Sequence, residues 1–276
     1  MRPSFSIRAP FLGRFKMLRT IVCSVILTVL WSPAIAVAET AEEKGLRITK
    51  EADTFNAGFR GESSTMEMVL INAHGDETVR RMENKALEMS DDGDRSIITF
   101  LWPNDVKGTK MLTWTHRTGN DDQWLFLPSL NRVKRISSRN KSGAFMGSEF
   151  AYEDLGSQEV EKYTYKWLRD EKIGARNYWV IERVPTDKRS GYSRQVVWMD
   201  QEYRQATKID FFDRKGEMLK TFTLEGYTQF GKYWRAAVIE ATNHQTKKKS
   251  RLTWNDRQVG KAPNPDAFSK DALEDF

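Results

Sequence analysis

Residues 122–155 read DQWLFLPSLNRVKRISSRNKSGAFMGSEFAYEDL, two short apolar strands joined to a basic loop and a glycine-punctuated aromatic turn. Trp124, Leu125, Phe126 and Leu127 are apolar at successive positions, so a strand here is covered on both faces. Pro128 ends it by removing a ladder donor. No catalytic motif fits the stretch.

Outward from this segment the chain is dominated by alternation of period two, the signature of strands. Tyr163, Tyr165 and Trp167 alternate with Lys162, Thr164 and Lys166. Tyr203, Thr207, Ile209 and Phe211 alternate with Arg204, Lys208 and Asp210, and Met66, Met68 and Leu70 with Thr65 and Glu67. Further strands are expected near 77–89, 95–103, 108–116, 176–184, 193–199, 217–226, 231–243 and 248–257. Short turn sequences such as His74-Gly75-Asp76 and Asp213-Arg214-Lys215-Gly216 separate many of them, which forces antiparallel neighbours. Two stretches read as helices. Ile48, Ala52, Phe55 and Phe59 share one helical face, weakening at Gly58 and Gly61, and Asn264 with Pro265 is suited to start a short C-terminal helix carrying Phe268 and Leu273. A meander of about a dozen strands accumulates twist and curls or closes. Two short helices cover only part of one face, so an aromatic and Met-rich inner face needs side chains, a helical lid or a ligand to fill it.

The front end bears on the compartment. Residues 1–20 carry Arg2, Arg8, Arg14, Lys16 and Arg19 with no acid, Ile21 to Trp31 is an apolar core, and Ala36-Val37-Ala38 precedes Glu39. This predicts a cleavable signal peptide over 1–38 and a single domain over 39–276, exported to the periplasm. The apolar run is roughly half the ~20 residues a membrane span needs. Met17 is an equally good start for such a leader. Cleavage would lower a net charge of +6 to about +1, because the leader holds basic residues and no acids. A basic surplus of that origin is no argument for nucleic acid, and no nucleic-acid partner is expected. The single cysteine, Cys23, lies within the leader, so the remaining chain would have no disulfide.

The strings WLFLP at 124–128, RVKRISS at 132–138 and GAFMGSEFAYEDL at 143–155 closely resemble the outer-membrane lipoprotein-sorting proteins, relatives of the periplasmic carrier LolA. The resemblance implies a mainly β (α+β) fold: a curled, incompletely closed antiparallel β-barrel with a helical lid over an apolar cavity, LolA/LolB-like. It also implies a non-catalytic periplasmic carrier for an acyl chain, lipid or lipoprotein moving between membranes, with an outer-membrane acceptor. Members of the family are often associated with RND-type inner-membrane transporters, so the alternative is an accessory subunit of such a transporter, with a barrel filled by its own side chains.

Alternation assigns Met66, Met68, Phe100, Trp102, Trp114, Trp124 and Phe126 to the cavity, although a one-residue error of phase would turn each outward. The methionines suit an irregular, acyl-binding surface and equally suit ordinary core filling. Arg132, Lys134 and Arg135, with Arg139 and Lys141, form either a landing site for an anionic headgroup or a solvated hairpin. Phe145 and Met146 beside these charges are read as a portal or docking loop, or as a plug tucked under the sheet. No G-x-S-x-G, H-E-x-x-H, Walker, Rossmann or C-x-x-C pattern occurs, so no enzyme activity, cofactor or metal is expected. The three histidines, His74, His116 and His244, fall on separate predicted hairpins.

Overall fold

The alternating segments pair into one antiparallel sheet of thirteen strands, seen in a computed structural model that describes residues 38–274. The first group comprises β1 (Gly61–Ile71), β2 (Glu77–Leu87), β3 (Arg95–Trp102), β4 (Lys110–Trp114), β5 (Asp122–Leu127) and β6 (Arg132–Ile136). The second comprises β7 (Tyr163–Ile173), β8 (Arg176–Pro185), β9 (Tyr192–Asp200), β10 (Gln205–Asp213) and β11 (Met218–Glu225), and the third β12 (Thr228–Phe230), β13 (Tyr233–Arg235), β14 (Val238–Asn243) and β15 (Lys249–Val259). The sheet order is β6-β5-β4-β3-β2-β1-β15-β14-β11-β10-β9-β8-β7, with β12 and β13 forming a separate hairpin. The stretch 231–243, expected as one strand, divides between β13 and β14. Strands β6 and β7 are the two edges and the sheet is not closed into a barrel. The expected leader lies, apart from Ala38, outside the described residues; the described residues from Glu39 onward form one unit.

The helix α1 spans Ala41–Asn56, starting earlier than its apolar periodicity alone predicts, because Thr40 and Glu43 form a capping box. The Glu43 amide donates to Thr40 Oγ1 at 3.1 Å and the Thr40 amide to the Glu43 carboxylate at 2.9 Å. Gly45 lets the helix lie directly on β7: a Cβ there would sit 2.7 Å from the Trp167 amide nitrogen. Ile48 packs against Val160, Tyr165 and Ile181. Ile181 pairs with Val197, and Val197 with Ile209, so these residues share a face and α1 covers the β7–β8 end of it. At the other end of the chain Asn264 caps as expected, but the segments it leads are two 3-10 turns, Pro265–Phe268 and Asp271–Leu273.

Both faces of the sheet are apolar over β3–β5. The inner face carries Met66, Met68, Met82, Ile98, Phe100, Met111 and Leu125, joined in one cluster with Val197, Ile209, Phe211, Phe222 and Leu252 from the other half. On the outer face, Ile97, Leu112, Trp124 and Phe126 lie beneath Phe268 and Leu273. Cross-strand pairs set the parity: Leu125 opposes Met111, while Trp124 opposes Leu112.

Candidate functional site

The long connection between β6 and β7 enters the concavity as a plug. Phe145 and Phe150 are fully buried in the inner cluster, and Met146, Tyr152 and Leu155 pack against it. Phe145 meets Phe100 at a ring separation of 5.8 Å, and Phe150 meets Phe222 at 5.1 Å. A tight hairpin makes this possible: the Phe145 amide donates to the Phe150 carbonyl at 2.7 Å, and Met146 and Gly147 take the left-handed conformation.

A loop carried inward brings polar backbone with it, and each such group needs a partner. The strands supply them. Arg80 of β2 donates to the Met146 carbonyl, Ser250 of β15 accepts from the Glu149 amide at 3.0 Å, and Gln123 of β5 donates to the Tyr152 carbonyl at 2.8 Å. Asn243 of β14 donates to the Glu149 carboxylate at 2.6 Å. The firmest tie is a buried ion pair: Lys220 Nζ of β11 lies 2.6 Å from Asp154 Oδ2, with the two side chains 4% and 5% exposed. Lys220 also donates to the Glu149 carbonyl at 2.9 Å, and Tyr192 donates to Asp154 Oδ1 at 2.8 Å.

The plug leaves part of the inner face uncovered by protein. A cavity of about 300 Å³ remains, walled by Met66, Ile98, Phe150, Phe222, Ile239, Leu252 and Trp254. Polar residues stand at the strand-end side of it: Glu62, Asp94, Ser96 and Arg257, with Asp154 behind the plug. Burial pushes the Asp94 carboxyl up to about 7, assisted by the nearby carboxylates of Glu159, Glu88 and Asp53 and opposed by the Met89 amide that donates to it at 3.2 Å. A larger space of about 450 Å³ lies at the seam where the β5–β6 and β7–β8 ends approach, and its charges are already matched among themselves, as in Lys141 with Asp187 at 2.8 Å and Lys162 with Asp121.

Of the residues that alternation assigned to the cavity, Met66 lines this space, and Met68 and Phe100 lie on the same face beneath the plug. Trp124 and Phe126 are on the opposite face, with Trp114 against them; Trp114 Nε1 donates to the Phe268 carbonyl at 2.8 Å and its ring meets Trp124 edge-on at 4.9 Å. The reason is the continuous WLFL run, which offers no polar residue to mark phase. Trp102 is 47% exposed at the end of β3, with the Arg81 guanidinium 5.7 Å from its ring. Arg132, Lys134 and Arg135 are exposed on the edge strand β6, and Arg135 is bridged to Asp122. Phe145 is a buried plug residue, and Met146 is partly buried beside it. Sequence reading passed over Ser64, Glu62, Arg257 and Trp254; the Asn255-Asp256 pair was a usable signal, since both residue types tolerate the left-handed conformation that Asp256 adopts in a bulge.

His116 serves architecture. Its Nδ1 lies 2.6 Å from Asp92 and its Nε2 3.3 Å from Asp122, which ties the β2–β3 turn to the start of β5, and hydrogen bonding to Asp92 raises its pKa. Among the described residues no group of three or more His, Cys, Asp or Glu is placed to hold a metal ion. Among the same residues no helix is long and apolar enough to cross a membrane.

The overall fold is shared with solved structures. A LolA superfamily protein from Nitrosomonas europaea, 22% identical, superposes with a TM-score of 0.66 over 85% of this chain and 100% of that one. A DUF1329 family protein from Desulfovibrio piger, 24% identical, gives 0.81 over 85% and 99%. The fold is that of the LolA superfamily. A domain from Vibrio parahaemolyticus designated an outer-membrane lipoprotein-sorting protein is 48% identical, with a TM-score of 0.83 over 85% of this chain and 100% of that domain. A family model described as "-like: Uncharacterized protein" matches residues 92–275. Among curated proteins none matches. The chain belongs to the outer-membrane lipoprotein-sorting protein family.

Proposed function

We propose that this protein is a periplasmic, non-catalytic carrier that shields the acyl part of a lipid or lipoprotein on the inner face of its sheet during transfer between membranes. The observation that carries this reading is the apolar cavity left between the plug and the inner face, walled by Met66, Ile98, Phe222, Ile239, Leu252 and Trp254. Along its apolar wall water finds few partners, whereas methylene groups gain about 0.8 kcal/mol each on leaving water. Met68 and Phe100 extend the same apolar surface beneath the plug, so an outward movement of residues 143–155 would lengthen the binding surface for a longer chain. Family membership agrees with this reading, as does the expected leader.

The test is native mass spectrometry with lipid extraction on protein purified from a periplasm without detergent. A stoichiometric lipid supports the carrier and identifies its cargo class. A bare mass, together with failure to take up a fluorescent acyl probe, overturns it. In the same assay Ile239→Arg, which places a charge in the cavity wall, removes bound lipid while the circular dichroism spectrum is retained.

A further inference from the structure

The polar end of the cavity is built in a way that an apolar chain alone does not explain. Glu62 is the second residue of β1, and two arginines converge on it: Arg235 Nε at 3.0 Å and Arg257 Nε at 2.9 Å. Two guanidiniums share one carboxylate, which leaves a positive excess where the Arg257 side chain is only 10% exposed. Burial pushes the Arg257 guanidinium below its usual pKa, Glu62 opposes that shift and Arg235 adds to it.

Arg257 faces inward because of a register shift. Ser63 pairs with Gln258 and Thr65 with Asn255, so Asp256 and Arg257 together oppose Ser64 alone. Asp256 takes a φ of 50°, and the bulge turns the arginine toward the cavity it lines. Two buried side-chain polar atoms among the described residues make no hydrogen bond: Ser64 Oγ, on β1 between Glu62 and Met66, and Arg257 Nε, which lies 2.9 Å from Glu62 with its N–H off the line to it. Arg257 Nε is paired with Glu62 by charge but is not aligned for a hydrogen bond to it, and a buried donor left so costs about 1–3 kcal/mol; its place in the cavity lining points to an acceptor supplied from outside.

We propose that the cavity takes an amphiphile with an oxyanion head, carboxylate or phosphate, which accepts from Arg257 while its alkyl chain lies along Met66, Ile98, Leu252 and Trp254. This rests on the carrier reading and narrows its cargo to anionic lipids. Asp154 does not compete with the head, because Lys220 holds it. Asp94 lines the same cavity and, as a neutral acid, leaves the positive excess intact, so the head is bound best below neutral pH.

The experiment compares dodecanoate, dodecyl phosphate, dodecanol and dodecyltrimethylammonium by isothermal calorimetry at pH 6, on protein stripped of lipid. The expected result is about ten- to a hundredfold tighter binding of the two anions, the range of a charged hydrogen bond. Arg257→Gln then brings dodecanoate to the level of dodecanol, and Arg257→Lys keeps part of the preference. Equal affinity for all four ligands overturns the head site and leaves the cavity reading standing; no binding of any dodecyl ligand overturns both. Inorganic phosphate competing as well as dodecyl phosphate identifies a free-anion site and overturns the amphiphile. If Arg257→Gln does not fold, the four-ligand series on the unaltered protein still decides.

Discussion

The two faces of strands β3–β5 are equally apolar and are finished differently. On the outer face the C-terminal turns lay Phe268 and Leu273 over Ile97, Leu112, Trp124 and Phe126, and the Trp114 indole is satisfied by the Phe268 carbonyl. On the inner face the plug is tied by hydrogen bonds and an ion pair to strands of both halves, yet a cavity remains beside it, lined at one end by an Arg257 Nε that makes no hydrogen bond. The outer cover leaves a space of about 160 Å³ beside Ile97, Lys110, Ala267 and Ala272, about half the volume left on the inner face. The difference between the faces is therefore one of degree, and it is the inner gap that is walled chiefly by apolar side chains.

The largest expected effect tests whether the inner cover is held by its ion pair. Asp154→Ala strands a buried Lys220 and lowers stability by about 3–5 kcal/mol in urea denaturation, while Asp154→Ala with Lys220→Met recovers most of it. Uptake of an acyl probe rises in the single variant if the plug is the cover of the cavity; unchanged uptake would break the comparison. Next, Phe268→Ala removes the outer cover and costs about 3–4 kcal/mol, with acyl affinity unaltered. A loss of affinity there would mean that the two faces are coupled.

Asp94 gives a smaller effect with a defined sign. Its carboxyl is held at about 7 in the fold against an ordinary 3.8, so the native state keeps its proton where the unfolded chain has lost it. Stability therefore falls as pH rises from about 4 to about 7, by on the order of 4 kcal/mol. Asp94→Asn keeps an acceptor for the Met89 amide and raises Tm at pH 8 but not at pH 5. Equal shifts at both values would place the carboxyl in water. Smallest is Thr40→Ala, which removes the side-chain half of the capping box and costs about 1 kcal/mol, read by thermal melts; it loosens the helix at the β7–β8 end of the inner face alone.

How much was legible follows from where polar residues mark phase. Met66 and Met68 alternate with Thr65 and Glu67, and both residues lie on the inner face that this alternation predicts. The run Trp124 to Leu127 has no such marker, and there the faces can only be told apart once β4 is paired. The capping box was present in Thr40 and Glu43 and moves the helix start ahead of the apolar pattern. The plug was one of two readings of Phe145 and Met146, and the choice depends on partners as distant in sequence as Lys220 and Ser250. Arg257 was hidden for a different reason: a single residue added to a strand reverses its parity, and only the bulge reveals it.

The seam between β1 and β15 has a further consequence. Thr65 and Asn255 are neighbours across the middle of the sheet, 190 residues apart in the chain. Two meanders of local hairpins can form early, but each then presents a bare apolar surface until nearly the last strand has been synthesised. Folding is accordingly expected to be slow, with a late, all-or-none closure. A polypeptide truncated before residue 249 would retain hairpins and lose the joint that makes them one molecule, and its exposed apolar faces would make it prone to aggregate.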